Sequence, residues 1–311
     1  MNATLDVALL NFEGGGLIRP HRGIYNFRRL ERLLSPIVDQ PPMLLPMMEA
    51  KEYGLWGEHG LFGAANTLTD LFGIAYEGRL GVHERGLYGP ALFYDPNRVR
   101  LDYWGGDDPT VPEDRRNTAI IHLRGSEQPL RIVLAHWDYA SGDRRLEQAK
   151  LIGHHGHSEM PTLLAGDLNS TASRPELDRR DWDLCPHGLR SRAGWQPDGP
   201  AGPWRADTRA IDHLIGRWVP QDDERAEGSD FFAVCEIAHD LGLPGDKSFE
   251  CTVNNGDGVG GGFLVDWLLI NRAWWRKHPM AAGQYAVHVP ADPGAEGWDS
   301  DHRLVTTSFH L

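Results

Sequence analysis

The feature that most constrains the fold of this chain is a set of polar residues at the ends of runs rich in Leu, Ile, Val or Met. A run of about four to eight apolar residues is typical of a buried strand. A polar side chain that follows such a strand lies at the rim of a sheet, where several strand ends meet. The residues at these positions are Asn11, Glu49, His136, Asp167, Asn169, Asp266, Asp301 and His302. The pattern predicts an α/β protein with a polar cleft at the strand ends.

The apolar runs also predict the order of the elements. Strands are predicted at residues 6–10, 43–48, 91–94, 118–123, 131–135, 162–165, 263–270 and 304–309. Helical spacing predicts helices at 25–39, 143–154, 205–217 and 229–240. Pro46, inside the second strand, predicts an edge position or a bulge, and Ser229 is expected to cap the last helix. Residues 171–204, rich in Pro, Gly, Arg and Trp, are expected to form loops.

The charge balance limits the class of partner. The 311-residue chain has a formal net charge of −13, which argues against a general surface for polyanions. It does not exclude an enzyme that holds metal ions, because such ions supply positive charge within the site. No internal repeat or long linker divides the sequence, and the polar strand ends come from both halves. A single domain spanning 1–311 with one central cleft is therefore expected.

Cysteine usage and hydropathy indicate the compartment. The three cysteines, Cys185, Cys235 and Cys251, are odd in number and lack the spacing of a metal site. No apolar stretch reaches the roughly 18 residues that a membrane span needs, and the first residues do not resemble a signal peptide. We expect a cytoplasmic protein without a membrane span, and no feature of the sequence indicates an obligate protein partner.

The residue types at the strand ends match the needs of phosphate-ester hydrolysis. Hard oxygen ligands hold Mg²⁺ or Mn²⁺, and Glu49 and Asp301 are the best candidates, with Asn11 as a neutral third ligand. One or two ions are compatible with this set. The cation would neutralise the phosphoryl oxygens of a substrate.

The remaining strand-end residues suit proton transfer. Asp167 and Asn169 lie two residues apart, and this spacing suits a base and an amide that orient one water molecule. Asp266 is expected to fix the tautomer of His302 and to favour its imidazolium form. His136 is a candidate donor to a phosphoryl oxygen or to the leaving group. No nucleophilic Ser, Cys or Thr belongs to the set, so direct attack by water is expected.

Taken together and in order, these stretches carry a resemblance to a known family. They are Asn11, Glu49-Ala50-Lys51, Ala135-His136, Gly166-Asp167-Leu168-Asn169-Ser170, Asp266-Trp267-Leu268-Leu269 and Ser300-Asp301-His302-Arg303. The chain resembles the endonuclease/exonuclease/phosphatase superfamily of metal-dependent phosphoesterases, which includes deoxyribonucleases and abasic-site endonucleases. The resemblance implies a four-layer sandwich, in which two mixed β-sheets pack face to face with helices outside. It also implies the metal, water-holding and carboxylate–imidazole roles described above.

The sequence departs from the family pattern in places that concern the substrate. Met48 stands where Gln usually precedes the metal-binding Glu, and Ala135 replaces the common Thr before His136. Residues 54–88 and 171–260 match no subfamily. A nuclease or nucleotide phosphodiesterase is the favoured reading; a phosphatase on a small-molecule or lipid phosphate, and an inactive binding module, remain open alternatives.

Substrate contacts are the least constrained prediction. Arg19 and Arg22 follow the first motif and are candidates for phosphate contacts, although a solvated turn explains them equally well. Lys51 follows Glu49 closely and is a candidate for substrate or structural contacts. A nuclease is expected to show Arg and Lys along a groove with an aromatic for stacking. A phosphatase is expected to show basic residues gathered in a closed pocket.

Overall fold

The computed structural model describes residues 4–20, 22–82, 88–106, 110–242, 248–253, 261–277, 280–290 and 297–310. Its strands, in chain order, are β1 (Thr4–Asn11), β2 (Leu17–Arg19), β3 (Ile24–Tyr25), β4 (Leu44–Met48), β5 (Glu77–Leu80), β6 (Ala91–Tyr94), β7 (Val99–Trp104), β8 (Thr118–Leu123), β9 (Pro129–His136), β10 (Thr162–Asp167), β11 (Gly194–Trp195), β12 (Arg205–Ala206), β13 (Trp218–Val219), β14 (Glu224–Arg225), β15 (Phe231–Ala233), β16 (Asp266–Asn271), β17 (Met280–His288) and β18 (Leu304–His310). Its α-helices are α1 (Arg28–Leu34), α2 (Leu55–Phe72), α3 (Gly142–Ile152), α4 (His187–Ala193), α5 (Arg209–Ile215), α6 (Val234–Asp240) and α7 (Arg272–Lys277).

Twelve of the strands form two mixed sheets of six strands each. The first has the order β17-β18-β1-β4-β6-β5, and the second has the order β15-β16-β10-β9-β8-β7. Apolar side chains from both sheets join one buried cluster, to which Leu9 and Leu92 contribute from the first sheet and Leu134, Leu163 and Leu268 from the second. The two sheets therefore pack face to face around a shared core.

Helices cover the outer side of the first sheet. Leu45 and Phe93 pack there against Leu30 of α1 and against Leu61 and Leu68 of α2. The apolar residues of α2 recur at helical spacing, so one stripe of this helix faces the sheet while the opposite face meets water.

The second sheet is covered in the same way. Val133 and Leu164 pack against Ala149 of α3 and against Ile211 and Leu214 of α5. The order of layers is thus helix, sheet, sheet, helix, which confirms the predicted four-layer sandwich.

None of the helices in the described part of the chain has the length and apolarity to cross a membrane.

All eight predicted strands are present, with boundaries that shift by up to three residues. The prediction for Pro46 is wrong, because β4 lies between β1 and β6 rather than at an edge. Pro46 pairs with Leu92, and Leu45 and Met47 continue the same ladder. A proline removes one N–H donor from the strand, and the pairs around it maintain the sheet.

Three helix predictions change at their boundaries. Helix α1 is shorter than 25–39 because Tyr25 belongs to β3 and a 3₁₀ helix at Ser35–Ile37 follows Leu34. The predicted 205–217 helix shortens to α5 because residues 205–206 pair with β11. Ser229 does not cap α6, since its hydroxyl donates to the His213 carbonyl at 2.9 Å. Strand β15 intervenes between Ser229 and the helix and pairs with β16, so tertiary pairing overrides the local capping signal.

Several elements were not predicted. Helix α2 lies in a glycine-rich segment, and its first turn is irregular, with left-handed φ angles at Trp56, Gly57 and Glu58. Strands β5, β7 and β17 lie at or next to sheet edges. Helix α4 forms inside residues 171–204, which were expected to be loop.

Candidate active site

Strand pairing brings the polar strand ends to one rim. In the first sheet β1 runs parallel to β4, so Asn11 pairs with Met48 and Glu49 follows directly. In the second sheet Asp167 pairs with His136 on one side and with Asp266 on the other. The two sheets therefore contribute their ends to the same space between them.

Asn11 connects the two sheets at this rim. Its Nδ2 donates to Asp167 Oδ2 at 3.0 Å and to Glu49 Oε1 at 3.4 Å. The other Glu49 oxygen, Oε2, accepts the Gly14 backbone N–H at 2.8 Å. One amide thus holds two carboxylates together from opposite sheets, and Glu49 lies beside Asp167.

The segment before β18 brings its aspartate and histidine to the same rim. The Ser300 hydroxyl donates to the Asn11 carbonyl at 2.7 Å and accepts the His302 backbone N–H at 3.1 Å. Ser300 is fully buried. It therefore ties the segment that carries Asp301 and His302 to the end of β1.

Asp266 and His302 form a buried carboxylate–imidazole pair. His302 Nδ1 donates to Asp266 Oδ2 at 2.8 Å, and Asp266 is completely buried. The Asp266 backbone N–H is bonded to the Thr252 hydroxyl at 3.1 Å, which helps to fix the strand end. His302 Nε2 then lies 3.7 Å from Asp167 Oδ2. The tautomer is fixed with Nδ1 as a donor, and Nε2 faces the rim.

The carboxylates around His302 control its protonation. Burial alone would lower the pKa of His302, but the negative charges of Asp266 and Asp167 outweigh burial and hold that pKa well above its usual value. The imidazolium form is therefore favoured. A positively charged donor beside the rim suits an incoming phosphate.

Asp167 and Asn169 are held in a tight turn at the end of β10. The Asn169 backbone N–H donates to Asp167 Oδ1 at 2.9 Å, and Asn169 Nδ2 donates to the Trp137 carbonyl at 3.2 Å. Gly166 is required before them, because a Cβ there would lie 1.7 Å from the Ala135 carbonyl oxygen. The close approach of β9 and β10 at this point sets the position of Asp167.

Two site residues adopt the left-handed backbone conformation. The φ angle of Glu49 is 59° and that of Asn169 is 48°. This conformation costs an L-residue such as glutamate roughly 1–2 kcal/mol, whereas asparagine adopts it more readily. Strain of this kind concentrates at functional sites, where the surrounding structure maintains it.

His136 completes the group on the second sheet. Its Nε2 lies 3.6 Å from Asp167 Oδ2, so the rim contains imidazole nitrogens on two sides of one carboxylate. All eight strand-end residues predicted from the sequence thus lie together.

The donors at this rim fit a divalent cation. Asn11 Oδ1 and Asp301 Oδ1 are buried, and neither accepts a hydrogen bond from the described residues. Burial, together with the neighbouring charges of Glu13 and Glu49, raises the pKa of Asp301 to about 6. We name the three carboxylates Glu49, Asp167 and Asp301 the acidic rim. Its oxygen ligands and uncompensated negative charge are those that Mg²⁺ or Mn²⁺ requires.

A second grouping of potential ligands overlaps this site. Atoms of Asp167, Asp266 and His302 lie within 4.8 Å of one another. An ion among them would have to replace the 2.8 Å hydrogen bond between His302 and Asp266. It would also need a neutral imidazole, while the surroundings favour the charged form. The oxygen atoms of Glu49, Asp301 and Asn11 could hold an ion without breaking this hydrogen bond.

The acidic rim forms the floor of a cleft of about 520 Å³. The cleft is lined by Glu49, Tyr88, His136, Trp137, Asp138, Tyr139, Gln148, Asp167, Asn169, Asp301 and His302. Among these described lining residues there is no Arg or Lys. The basic groove expected of a nuclease and the basic pocket expected of a phosphatase are both absent from this lining.

The three predicted substrate-binding residues lie apart from this lining. Arg19 at the end of β2 and Arg22 before β3 are both exposed. The Lys51 Nζ lies 4.5 Å from the centroid of the Tyr88 ring, and Tyr88 is one of the residues that line the cleft. The aromatic residues of the cleft were not predicted as site residues. Trp137 and Tyr139 lie within three residues of His136, and this proximity in sequence is the signal that could have indicated them.

Comparison with known proteins identifies the fold. No protein-family profile and no curated protein matches the sequence. Solved structures match over nearly the whole chain. ANGEL2, a 2′,3′-cyclic phosphatase solved with adenosine-2′,3′-vanadate, is 15% identical with a TM-score of 0.58, covering 100% of this chain and 96% of ANGEL2.

Two proteins from Bacteroides thetaiotaomicron are also similar. An endonuclease/exonuclease/phosphatase family protein is 12% identical, with a TM-score of 0.53 and coverage of 99% of this chain and 95% of its own. A mannosyl-6-phosphatase is 12% identical, with a TM-score of 0.53 and coverage of 99% and 100%. At these identities the likeness establishes the architecture: the chain has the fold of the endonuclease/exonuclease/phosphatase superfamily.

Proposed function

We propose that this protein is a divalent-metal-dependent phosphoesterase that hydrolyses P–O bonds by direct attack of water. The observation that carries the proposal is the acidic rim beside a buried Asp266–His302 pair. Three carboxylates gather at one point without an Arg or Lys among the described residues that line the cleft. A structural cluster would pair such charges, so their arrangement supports a site for a cation and a phosphate.

The proposed metal ligands are Glu49, Asp301 and Asn11. When bound, Mg²⁺ or Mn²⁺ neutralises the phosphoryl oxygens and stabilises the charge that develops on them. The Gly14 N–H and the Asn11 amide hold Glu49 in place. Asn11 Oδ1 and Asp301 Oδ1 are buried and accept no hydrogen bond from the described residues, which supports this assignment.

Asp167 is the proposed base for the attacking water. Its Oδ1 is held by the Asn169 N–H and its Oδ2 by Asn11, so the carboxylate has one defined orientation. It takes a proton from the water as the oxygen attacks phosphorus, and the Asn169 side chain orients the same water.

His302 and His136 are the proposed donors to the substrate. The imidazolium of His302 is oriented through Nδ1 by Asp266, which leaves Nε2 to donate to a non-bridging phosphoryl oxygen. His136 Nε2, on the other side of Asp167, is placed to donate to a second phosphoryl oxygen or to the leaving group. Each such donor is worth about 3–4 kcal/mol in the transition state.

We favour a nucleotide or a nucleic-acid end as the substrate. The likeness to ANGEL2, a 2′,3′-cyclic phosphatase, supports a nucleotide phosphoester. A small phosphate monoester is the second candidate, because the mannosyl-6-phosphatase shares the fold and the cleft lacks the basic residues of an extended nucleic-acid groove.

We also propose a reducing, cytoplasmic location and a single catalytic domain over 1–311. The three cysteines are free, and Cys185 and Cys235 are buried. Free thiols of this kind persist where disulfides do not form.

The test is a substrate panel with and without the cation. Protein with Mg²⁺ or Mn²⁺ is incubated with adenosine 2′,3′-cyclic phosphate, AMP, mannose 6-phosphate, bis-p-nitrophenyl phosphate and plasmid DNA. We expect hydrolysis of at least one phosphoester, its loss on chelation, and its loss in His302→Ala. Absence of turnover on every substrate, or turnover that survives chelation, would contradict the proposal.

A further inference from the structure

A narrow slot adjoins the cleft on the side of His136. It has a volume of about 100 Å³, and His136, Trp137 and Gln148 line both the slot and the cleft. Because one water molecule occupies roughly 30 Å³ in the liquid, this volume corresponds to about three waters. A group of phosphate size fits such a volume, whereas a whole nucleoside does not.

Strand order places the slot on the opposite side of β9 from Asp167. In the second sheet β9 lies between β10 and β8, and His136, at the end of β9, pairs with Asp167 of β10. On the other edge of β9, the Leu134 N–H donates to the carbonyl of Asn117, just before β8, at 2.9 Å. Neighbouring strands lie about 4.8 Å apart, so roughly 10 Å separates the backbones on the two sides. A substrate with its phosphoester at the acidic rim can therefore extend past His136 into the slot.

Arg116 is the one Arg or Lys among the described residues that line the slot. Its Nε donates to the Val111 carbonyl at 3.3 Å, and its guanidinium forms no other hydrogen bond or ion pair with a described residue. Glu113 lines the same slot without pairing with it. The Nε bond orients the planar group, and the two terminal nitrogens form a fork that matches a phosphate or a carboxylate.

The backbone that carries Arg116 is fixed by the next residue. Asn117 Nδ2 donates to the Val82 carbonyl, and the Val82 N–H donates to Asn117 Oδ1, each at 2.7 Å. The Asn117 N–H donates to the Gly105 carbonyl at 3.1 Å. The base of the Arg116 side chain therefore has a defined position, so less conformational freedom is lost when the guanidinium binds a ligand.

The charge balance of the cleft gives Arg116 a distinct task. The described lining of the cleft has no Arg or Lys, so a cation at the acidic rim would neutralise only the phosphate that is cleaved. A second anionic group of the substrate needs a positive partner elsewhere. The slot offers Arg116 between apolar walls from Val133, Leu151 and Ile152, and such surroundings strengthen the attraction between opposite charges.

We propose that Arg116 binds a second anionic group, a phosphate or a carboxylate, of a substrate whose phosphoester is cleaved at the acidic rim. This inference rests on the proposed function and specifies its substrate class. It assigns Arg116 a role in substrate selection, while the chemistry is left to Asp167, His302 and their neighbours.

The test compares substrates that differ by one anionic group. Adenosine 3′,5′-bisphosphate is compared with its 5′- and 3′-monophosphates, and 3-phosphoglycerate with glycerol 3-phosphate, all with Mg²⁺ or Mn²⁺. The first comparison adds a phosphate and the second adds a carboxylate. A hydrogen-bonded charge pair predicts that kcat/KM rises by about 10- to 150-fold with the added group in at least one comparison. The rise should come mainly from KM, because the contact is made equally before and during the reaction.

Three variants locate the source of this preference. Arg116→Gln should bring the ratio of kcat/KM values towards one. Arg116→Lys, which retains the charge but not the fork, should keep part of it. Arg115→Gln is the matched control, because it removes the same charge from the preceding residue, which is exposed and lies outside the slot lining. Its ratio should equal that of the unaltered protein, and thermal melting checks that each variant is folded.

The outcomes distinguish this inference from the proposed function. A ratio near one in both comparisons, or a ratio that persists in Arg116→Gln, would overturn the role of Arg116 while leaving a phosphoesterase. An equal fall in Arg115→Gln would also overturn it, because the preference would then reflect overall charge instead of a contact. Absence of hydrolysis across these substrates and the wider panel would contradict the proposed function, and this inference with it.

Discussion

Two groups of carboxylates in this protein have opposite surroundings. The acidic rim gathers Glu49, Asp167 and Asp301 at the strand ends. A second group, which we call the Glu236 cluster, consists of Glu236, Arg225, Arg174 and Asp212. Asp212 lies on α5, Arg225 on β14 and Glu236 on α6. Both groups are largely withdrawn from water.

The Glu236 cluster is neutralised by its own cations. Arg225 Nε donates to Glu236 Oε2 at 2.7 Å, and Arg225 Nη1 lies 3.5 Å from Asp212 Oδ1. Arg174 Nη1 lies 3.7 Å from Glu236 Oε1, and its guanidinium packs 4.3 Å from the Trp218 ring centroid. Each acid has a guanidinium partner, as expected when charges serve the fold.

The acidic rim has no Arg or Lys partner among the described residues, and its nearest basic groups are His136 and His302, at 3.6 and 3.7 Å from Asp167. Asp301 has no closer basic group among the described residues than His302, whose Nε2 lies 3.9 Å away. Glu49 and Asp167 are bridged by the neutral Asn11 amide. The rim therefore keeps a negative charge that a cation from solution can neutralise. A variant in the acidic rim and a variant in the Glu236 cluster should consequently affect different properties.

The largest expected effect is on turnover at the rim. His302→Ala removes the oriented imidazolium, so we expect kcat to fall by about 10²- to 10⁴-fold. The melting temperature should change far less than kcat, and initial rates on the best substrate of the panel measure the loss.

His122→Ala is the matched control for this variant. The His122 side chain is 14% exposed and pairs with Asp102 at 3.1 Å, away from the cleft. Its kcat should stay close to that of the unaltered protein. An equal loss in both variants would mean that His302 acts only through folding.

The second effect is on stability at the Glu236 cluster. Glu236→Gln leaves Arg225 with only Asp212 as a charged partner, so we expect the free energy of unfolding to fall by about 3 kcal/mol. Turnover of the folded protein should change little, because Glu236 lies outside the cleft. Urea unfolding and kcat measured on the same sample check both statements. A loss of kcat with unchanged stability would remove the contrast between the two groups.

The third effect is a pH dependence caused by Asp301. Burial and the nearby Glu13 and Glu49 charges raise its pKa from 3.8 to about 6. The folded state therefore holds this proton more tightly than the unfolded state, and the resulting stabilisation is complete below pH 4 and lost as the pH rises through 6. Because the side chain is 34% exposed, we expect about 1–2 kcal/mol.

Urea unfolding between pH 4 and 7.5 without divalent ions measures this dependence. It should diminish in Asp301→Asn, which cannot ionise, and also in the unaltered protein with saturating Mg²⁺. A profile that is the same in Asp301→Asn and in the unaltered protein would show that Asp301 does not carry an unfavourable charge at neutral pH.

The strand ends were predictable from sequence because their signals are local. An apolar run followed by Glu49 or by Gly166-Asp167 predicts both a strand and the position of its polar end. Pairing then aligns these ends, as with Asp167 between His136 and Asp266. The four-layer architecture was implied by the resemblance of the ordered motifs to the endonuclease/exonuclease/phosphatase superfamily.

Other features depend on tertiary contacts and were not predictable in the same way. Pro46 occupies an interior strand because neighbouring pairs maintain the sheet. Helix α2 has a glycine-rich sequence with weak local preference, and packing of Leu61 and Leu68 on the first sheet stabilises it. The aromatic wall of the cleft joins Tyr88 to Tyr139, which are 51 positions apart in the chain and meet only in the fold.

The most direct test of the central claim is the position of a bound Mn²⁺ ion. Crystals soaked with MnCl₂ should show an anomalous-scattering peak coordinated by Glu49 and Asp301, and the peak should be lost in Glu49→Gln and retained in Glu236→Gln. A peak held instead by Asp266 and His302, or no peak at the acidic rim at saturating Mn²⁺, would contradict the account.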